Sequence, residues 1–500
     1  MKQGDAGGIG GDRGEVRLPA RRGLFYGGAW HAPESGAEAE TLSPGTGRSL
    51  GVVAQASAKD VDAAVAAARK GFLAWRDVAP RERARILRAV AARIRQHADE
   101  LALLDAVDCG NPCSAMRYDS HASADQLEFF SGLVTEMKGS SVPMGPQVVN
   151  FSVRQPLGVV AKIVAFNHPF MFCAGKAAAP LAAGNAVIVK PPEQAPLSAL
   201  RFAELIEDLV PAGVFNVLPG GKEAGAALAA HPGVAKISVI GSVQTGRAVL
   251  AAGAATLKPA LLELGGKNAL IAFDDADPEE VASAVIDGMN FAWCGQSCGS
   301  TSRALLHETI YDRVVEHVLT RITAFRPGDP ADPSTTMGAI VSAVQHRRIL
   351  DYIEIGKAEG ARLLHGGKTP DDPALAGGYF IEPTVFGDVT PQMRIAREEI
   401  FGPVVSLMRW RDEAEMIDVA NGVDYGLTCS IWTNDLERAH RTAMKAEAGY
   451  VWINETGKHF LGAPFGGWKQ SGIGREECLD ELLAYTQEKN IHIRLKGGSG

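Results

Sequence analysis

Cys298 and Glu263 are the two residues whose side chains could perform chemistry together. Cys298 closes a Cys-Gly-Gln-Ser-Cys run, and Glu263 lies in a Leu-Glu-Leu-Gly-Gly-Lys run. A thiolate can add to an aldehyde carbonyl, expel hydride from the adduct and leave a thioester, which a base-activated water then hydrolyses. Each residue type alone is more often a buried hydrophobe or a solvated charge. The pair therefore indicates aldehyde oxidation only if the rest of the chain builds a site around it.

The composition is that of an ordinary globular protein. The chain has 500 residues, of which 46% are hydrophobic and 22% charged, so it is long enough for two or three domains with large cores. A net charge of −8 and a pI near 5.9 predict no basic surface for nucleic acid or for an anionic membrane. Chemistry on a small molecule is the favoured class of function.

The seven cysteines indicate a reducing compartment. Their number is odd and no Cys-x-x-Cys pair occurs, so we expect neither a disulfide framework nor a metal site, and a cytoplasmic location. Residues 1–22 are rich in glycine and charge and read as a flexible tail without a secretory signal. The stretch Ala177–Val189 is too short to cross a bilayer, and the terminal residues 497–500 resemble a flexible linker.

The elements that must position Cys298 and Glu263 alternate between strand and helix. Ser57 begins a helix that runs to about Trp75, and Pro80 opens a second helix. Four short apolar runs followed by helical segments then predict parallel strands at 159–166, 186–189, 214–218 and 236–240. A second alternating region spans roughly 269–454, and two outlying strands are predicted at 149–154 and 490–495.

Two turns in the first alternating region could bind phosphate or ribose. Gly241 and Ser242 lie between a strand and a helix, where backbone N–H groups attract anions, although a plain glycine turn has the same pattern. Lys190 and Glu193 follow another strand and are placed at the carboxyl edge of the sheet, where open α/β sheets bind ligands. They could equally be two solvated charges.

An ordered set of motifs resembles the NAD(P)-dependent aldehyde dehydrogenase superfamily, in its hydrolytic, non-acylating form. The resemblance covers roughly residues 24–495, and agreement of all the motifs in this order is not expected by chance. The motifs are Phe166-Asn167-His168-Pro169, Lys190-Pro191-Pro192-Glu193, Gly241-Ser242, Glu263-Leu264-Gly265-Gly266-Lys267, Gly295-Gln296-Ser297-Cys298, Glu399-Ile400-Phe401-Gly402-Pro403 and Pro464-Phe465-Gly466-Gly467.

The resemblance implies an α/β fold with two doubly wound parallel-sheet (Rossmann-type) domains and a small β oligomerisation arm. The expected boundaries are 23–139 and 156–262 for an NAD-binding domain, 263–475 for a catalytic domain, and 140–155 and 476–496 for the arm. In this family the arm docks onto a neighbouring subunit, so the resemblance implies a homodimer or a homotetramer.

The resemblance also implies residue roles. Cys298 would be the nucleophile, Glu263 the base that activates water, Asn167 the oxyanion donor, and Lys176 an aid to proton movement. The cofactor would be NAD, with NADP as an alternative, and no metal is implied. The implied cofactor-binding residues are Phe166, Lys190, Glu193, Gly241, Ser242, Glu399 and Phe401.

The implied substrate tunnel is largely aromatic, which favours an aromatic or apolar aldehyde. Lys458 and His459 could instead bind a carboxylate of the substrate. The alternative substrate is therefore a semialdehyde or a carboxylated aromatic aldehyde. His168 stands where the family usually has an apolar aromatic residue, and it is either a structural histidine or a polar tunnel contact. The tunnel residues are His168, Met171, Phe172, Ala292, Trp293, His459, Phe460 and Phe465.

Two other residues depart from the family pattern. Ile240 replaces the usual threonine before Gly241, and Trp293 stands near the nucleophile at a position that is often polar. Cys294 is expected to be a packing residue. Coenzyme A-acylating relatives typically lack the glutamate, because water must not consume their thioester, so Glu263 argues against that class. A non-catalytic binding protein could lose the nucleophile, the oxyanion donor or the base, whereas this chain has all three.

Overall fold

The computed structural model describes residues 16–496, so residues 1–15 of the predicted tail and the predicted linker 497–500 lie outside the described residues. The strands are β1 (Leu24–Tyr26), β2 (Ala29–His31), β3 (Glu38–Leu42), β4 (Ser49–Ala54), β5 (Ser141–Pro143), β6 (Val148–Pro156), β7 (Val159–Ile163), β8 (Ala186–Lys190), β9 (Phe215–Val217), β10 (Val234–Ile240), β11 (Ala260–Glu263), β12 (Ala269–Ala272), β13 (Arg303–His307), β14 (Arg362–His365), β15 (Thr384–Gly387), β16 (Val404–Trp410), β17 (Tyr425–Gly426), β18 (Thr428–Trp432), β19 (Tyr450–Ile453), β20 (Trp468–Lys469), β21 (Gly472–Ile473) and β22 (Thr486–Arg494). The α-helices are α1 (Ala58–Trp75), α2 (Pro80–Gln96), α3 (Ala98–Cys109), α4 (Cys113–Gly132), α5 (Pro169–Ala174), α6 (Ala178–Ala182), α7 (Leu197–Ile206), α8 (Lys222–Ala230), α9 (Val243–Ala254), α10 (Pro278–Gly288), α11 (Glu308–Arg321), α12 (Ala343–Ala358), α13 (Arg394–Arg397), α14 (Glu413–Asn421), α15 (Leu436–Lys445) and α16 (Leu479–Ala484).

The first domain begins before the predicted boundary at residue 23. Val16 and Leu18 pack against its core, and the Arg22 guanidinium donates to the Leu50 carbonyl oxygen at 2.6 Å. Apolar side chains in a glycine-rich and charged segment thus dock residues 16–22 onto the domain, in place of the predicted tail.

The first domain is built on an eight-stranded sheet with the order β2-β1-β9-β8-β7-β10-β11-β21. Its central strands β9, β8, β7, β10 and β11 are parallel. The chain passes from β7 outward to β9 on one side and then returns to β10 and β11 on the other. A crevice for ligand therefore opens between the carboxyl ends of β7 and β10, where the direction of winding changes.

Helices cover both faces of this sheet, as the predicted doubly wound fold requires. Side chains of α1, α8 and α9 pack on one face and those of α2, α4 and α7 on the other. Ser57 caps α1 with the predicted reciprocal bonds to Asp60, and Pro80 opens α2 as predicted. No helix within residues 16–496 is long and apolar enough to cross a membrane.

The predicted strands of this domain are present, with altered ends. The strand predicted over 159–166 ends at Ile163, since the chain must turn before Pro169 opens α5. All five residues of β7 and of β8 are buried, which explains why they read as continuous apolar runs.

The second domain is built on a seven-stranded sheet with the order β14-β15-β16-β13-β12-β18-β19. Every neighbouring pair is parallel except β14 with β15 at one edge. The helices α10, α11 and α12 supply part of one continuous core around it. The predicted arrangement of two parallel-sheet domains is therefore confirmed.

Two segments near the C-terminus return to the first domain, unlike the predicted boundaries. Strand β21, expected in the catalytic domain, pairs antiparallel with β11 through Leu262 and Ile473. Helix α16, expected in the arm, places Leu482 within the first core, and the fully buried Tyr485 lies just after it. These large apolar side chains are stabilised by burial against the first sheet.

The predicted arm is a three-stranded antiparallel sheet with the order β22-β6-β5. The register of β22 on β6 runs from Thr486 opposite Pro156 to Arg494 opposite Val148. The predicted outlying strands are thus present and pair with each other, and each is longer than the sequence indicated.

Candidate active site

A cavity of about 260 Å³ brings Cys298 and Glu263 together between the two domains' sheets. Six of the predicted tunnel residues line it: His168, Met171, Phe172, Trp293, His459 and Phe465. Polar groups at the inner wall include Lys176, Glu476 and Glu477. The cavity thus has aromatic sides and a charged region beside the nucleophile and the base.

The Cys298 loop follows a short 3-10 helix, Phe291–Trp293. Asn290 and Cys294, on either side of that helix, have φ angles of 56° and 54°, so the chain reverses sharply at both ends. Cys294 is fully buried, and its thiol donates to the Ala339 carbonyl oxygen at 3.6 Å. Cys294 therefore packs the base of the loop, while Cys298 faces the cavity.

Asn268 fixes the Cys298 loop against the strand-end segment that carries Glu263. Its side-chain amide donates to the Cys298 carbonyl oxygen at 2.7 Å, and its amide oxygen accepts from the Thr428 backbone N–H at 3.0 Å. A Cβ on Gly266 would lie 2.6 Å from the same Cys298 oxygen, so this position requires glycine. The loop and the Gly265-Gly266 segment are thus held in direct contact.

The Cys298 thiol is protonated in this environment. Burial raises the pKa of Cys298 to about 12, and the neighbouring carboxylates of Glu263 and Glu399 act in the same direction. A thiol with that pKa reacts as a nucleophile only when a nearby group takes its proton. Cys298 is partly exposed, so water that enters the cavity can take this proton.

Glu263 ends β11, and its carboxyl group is buried without a hydrogen bond from any residue in 16–496. Burial, with the negative charge of Glu476, raises the pKa of Glu263 well above its usual range, and Lys176 partly opposes this. A raised pKa makes the Glu263 carboxylate a stronger base than an ordinary carboxylate, as a general base requires. Gly466 gives it room, because a Cβ there would lie 2.9 Å from a Glu263 oxygen.

Lys176 is paired with two carboxylates of the cavity wall that were not predicted from the sequence. Its ammonium group lies 3.0 Å from Glu476 and 2.9 Å from Glu477. The second oxygen of Glu477 lies 3.1 Å from Nδ1 of His459. The adjacent acids 476 and 477, shortly after the predicted Pro464–Gly467 motif, were the signal that could have identified them.

Asp119 is another residue that the sequence analysis missed. Its carboxylate lies 2.7 Å from Nδ1 of His168, and the Asp119 side chain is 1% exposed. The two residues are 49 positions apart, on α4 and at the start of α5, so no local pattern connects them. His168 is therefore a cavity residue oriented by a buried carboxylate.

The predicted nucleotide residues lie at the carboxyl ends of the first sheet. Lys190 donates to the carbonyl oxygens of Pro191 at 2.9 Å and Gly220 at 2.6 Å, which leaves one ammonium donor free. Burial lowers the pKa of Lys190 to about 8. Glu193 is exposed beside Gly221, where a Cβ would come within 2.9 Å of its carboxylate.

Ser242 and Gly241 occupy the crevice between β7 and β10. Ser242 is exposed, and its hydroxyl caps α9 by accepting from the Thr245 N–H at 3.2 Å. The Gly241 N–H donates to the Glu263 backbone oxygen at 3.1 Å, which joins this turn to the strand of the base. An exposed helix N-terminus at this position fits a dinucleotide pyrophosphate.

The other predicted cofactor residues meet near the Cys298 loop. Glu399 accepts from the Gly266 N–H at 2.8 Å, and burial raises the pKa of its carboxyl group. The rings of Phe166 and Phe401 meet edge to face with centroids 5.7 Å apart. Residues far apart in the chain thus form one wall of the predicted cofactor path.

Four residues that were predicted for catalysis or for the substrate tunnel do not line the cavity. Asn167 is buried, and its backbone oxygen accepts from the Asn111 side chain at 2.9 Å. Phe460 is 57% exposed because its side chain turns to solvent between two residues that line the cavity. Lys458 pairs with Glu455 at 2.7 Å instead of facing the cavity, and Ala292 also does not line it. The predicted tunnel therefore loses Phe460, Ala292 and the lysine.

Comparison with known proteins places these features in a family. The profile of the Aldehyde dehydrogenase family matches residues 30–491. Aldehyde dehydrogenase tropH of Talaromyces stipitatus is 50% identical, over 97% of this chain and 96% of its own. PnpE of Pseudomonas, solved in complex with nicotinamide adenine dinucleotide, is 40% identical with a TM-score of 0.93, covering 96% of this chain and 98% of its own.

The P. syringae AldA indole-3-acetaldehyde dehydrogenase, solved as a mutant with NAD+ and IAA, is 37% identical, with a TM-score of 0.92 over 95% of this chain and 97% of its own. Sequence and structure thus agree over nearly the whole length with enzymes of one kind. Both the matched range and the half-identical relative lead to the same conclusion: this protein belongs to the aldehyde dehydrogenase family.

Proposed function

We propose that this enzyme oxidises an aldehyde to its carboxylic acid through a covalent adduct on Cys298. The thiol loses its proton to a base, its sulfur bonds to the carbonyl carbon, and the carbonyl oxygen becomes an oxyanion. The adduct then loses hydride to become a thioester, and water displaces the cysteine to release the acid. The supporting observation is that Cys298 and the unbonded carboxyl of Glu263 share one cavity.

We assign the water-activating step to Glu263, with Lys176 as an aid to proton movement through its positive charge. When Glu263 takes a proton from water, hydroxide attacks the thioester and thiolate leaves. The Lys176 ammonium group, held by two carboxylates at 3.0 and 2.9 Å, favours the ionised form of Glu263 and so promotes release of that proton. Asn167, fixed through its backbone by Asn111, is proposed to stabilise the oxyanion with the Cys298 backbone N–H.

We propose NAD as the cofactor, which when bound accepts the hydride. Lys190, Glu193, Ser242 and Glu399 lie along the crevice where it would bind, and solved relatives contain NAD. Glu193 should accept a hydrogen bond from the ribose 2′-hydroxyl and repel a 2′-phosphate.

We therefore expect a kcat/KM at least about tenfold higher with NAD than with NADP, because a like charge at this contact is costly. Replacing Glu193 with Gln removes the negative charge and should lower the ratio of kcat/KM with NAD to kcat/KM with NADP. Steady-state kinetics with each cofactor measures it. A ratio that favours NADP, or one that Glu193→Gln leaves unchanged, would contradict the role of Glu193.

We propose an aromatic or apolar aldehyde as substrate. Phe172, Trp293 and Phe465 line the cavity, and AldA, a relative named as an indole-3-acetaldehyde dehydrogenase, is solved with IAA. The alternative, a semialdehyde or a carboxylated aromatic aldehyde, loses one supporting group because Lys458 pairs with Glu455. A panel of aldehydes followed by NADH absorbance tests this choice.

We propose that the β22-β6-β5 sheet joins two copies of the chain into a homodimer, or two such dimers into a tetramer. The edge strand β22 is exposed along most of its length and is unpaired on its outer side within residues 16–496. Such an edge is normally covered by a partner.

Ending the chain before Asn490 should release monomers and reduce activity together, because it removes the outer half of the β22 pairing with β6. Light scattering and turnover, measured on full-length and shortened protein, check this expectation. A monomeric full-length protein at micromolar concentration would refute it.

We also place the enzyme in a reducing compartment such as the cytoplasm, as its seven cysteines are all free.

A further inference from the structure

Two histidines that line the cavity are each paired with a carboxylate, and each lies beside an aromatic side chain. In the first, Nδ1 of His168 lies 2.7 Å from Asp119, and the His168 ring lies 5.2 Å from Phe172. In the second, Nδ1 of His459 lies 3.1 Å from Glu477, and the His459 ring lies 4.4 Å from Phe465. Neither histidine belongs to the covalent chemistry proposed above.

The carboxylates fix which ring nitrogen each histidine offers to a ligand. A carboxylate can only accept, so Nδ1 of each ring carries the proton and donates it. Nε2 of the neutral ring then has a free lone pair, and neither His168 nor His459 uses Nε2 in a hydrogen bond within residues 16–496. Both pairs therefore leave Nε2 as the ring atom that can accept a hydrogen bond from a ligand.

The charge of the cavity wall selects against anionic ligands. Lys176 is the only lysine or arginine in the lining as described, and Glu476 and Glu477 hold it at 3.0 and 2.9 Å. Burial opposes ionisation of Glu477, but the charge of Lys176 and the hydrogen bond from His459 outweigh it and hold its pKa below the usual range. With Asp119 also in the wall, a substrate carboxylate would meet negative charge and no free cation.

We propose that the two pairs recognise hydroxyl groups on an aromatic aldehyde, with Nε2 of His168 and of His459 each accepting a hydrogen bond from a substrate O–H. This inference rests on the proposed aldehyde oxidation and narrows its substrate class to hydroxylated rings. The aromatic side chains beside each imidazole would pack against the aromatic ring of the substrate. The imidazoles would discriminate a substrate hydroxyl from a methyl group of similar size.

The experiment compares 3-hydroxybenzaldehyde with the near-isosteric 3-methylbenzaldehyde, and with 3-carboxybenzaldehyde as the anionic competitor. The readout is the ratio of kcat/KM for the hydroxyl and methyl compounds. We expect the full-length enzyme to prefer the hydroxyl compound, with the carboxyl compound the poorest. Because the single hydroxyl donates one hydrogen bond, at least one of His168→Phe and His459→Phe should lower the ratio about 3- to 10-fold, the effect of losing that bond.

His121→Phe is the matched control, because His121 is exposed on the same helix as Asp119 and does not line the cavity. Its ratio should equal that of the parent. His168→Phe leaves Asp119 without its partner, so melting temperatures accompany the kinetics. His459→Phe is the safer second variant, since Glu477 keeps its contact with Lys176.

The inference is overturned if the enzyme prefers 3-carboxybenzaldehyde. It is also overturned if the hydroxyl-to-methyl ratio of kcat/KM is the same in the parent, in His168→Phe and in His459→Phe. Either result leaves the proposed aldehyde oxidation in place. Oxidation of none of the three aldehydes overturns the inference together with the proposed aromatic substrate. In each preparation, loss of activity on replacing Cys298 identifies the measured turnover as that of the proposed site.

Discussion

Replacing Cys298 with Ala should lower aldehyde oxidation by about 10⁴-fold or more, because the covalent route then lacks its nucleophile. Cofactor binding and folding should change little, since the loop is held through the Cys298 backbone oxygen and the Asn268 side chain. Steady-state NADH formation, cofactor titration and thermal unfolding measure the three properties.

Cys294→Ala is the matched control for that change. Cys294 lies in the same turn and is fully buried, with its thiol directed to the Ala339 carbonyl oxygen. Its loss should reduce stability by about 1 kcal/mol and leave turnover within a few-fold of the parent. Turnover near the parent rate in Cys298→Ala, or equal losses in both variants, would falsify the assignment of the nucleophile.

Glu263→Gln should separate the two half-reactions. The amide keeps the shape of the side chain and removes the base, so a burst of about one NADH per active site should precede a steady state slowed about 10²- to 10⁴-fold. Stopped-flow absorbance records both phases. Glu437→Gln, an exposed glutamate on α15, serves as the control and should show parent kinetics.

The pH dependence of the two phases follows from the raised pKa values. Since Glu263 must lose its proton to act on water, steady-state turnover of the parent should rise with pH through the raised pKa of that carboxyl. The Cys298 thiol, with a pKa raised to about 12, gives the burst its own increase with pH. In Glu263→Gln, the increase of steady-state turnover with pH that comes from this carboxyl should therefore be absent. An unchanged steady-state profile in that variant would contradict the role of Glu263 as base.

Local motifs pointed to the proposed nucleophile and base, which share one cavity, because each motif lies within a single turn of the chain. Glu263 ends β11 and Cys298 follows a sharp reversal, and in both cases neighbouring glycines allow the close approach that the geometry needs. The alternation of apolar strands and helices likewise predicted both parallel sheets. These features depend on residues close together in the sequence.

The rest of the site depends on contacts that no local pattern encodes. Asp119 reaches His168 from a different helix, and Glu477, which also contacts His459, lies 301 positions after its partner Lys176. The orientation of Phe460 and Lys458 is set by an irregular loop, in which side-chain direction has no fixed period. The same limit applies to Tyr485, whose burial draws the chain back to the first domain.

The central claim is a covalent acyl group on Cys298, and mass spectrometry of the Glu263→Gln protein tests it most directly. After mixing with benzaldehyde and NAD and rapid acid quenching, fragmentation of the peptide that contains both Cys294 and Cys298 locates the modification. We expect a benzoyl thioester on Cys298 in an amount that matches the NADH burst. A burst without that adduct, or an adduct on another residue, would contradict it.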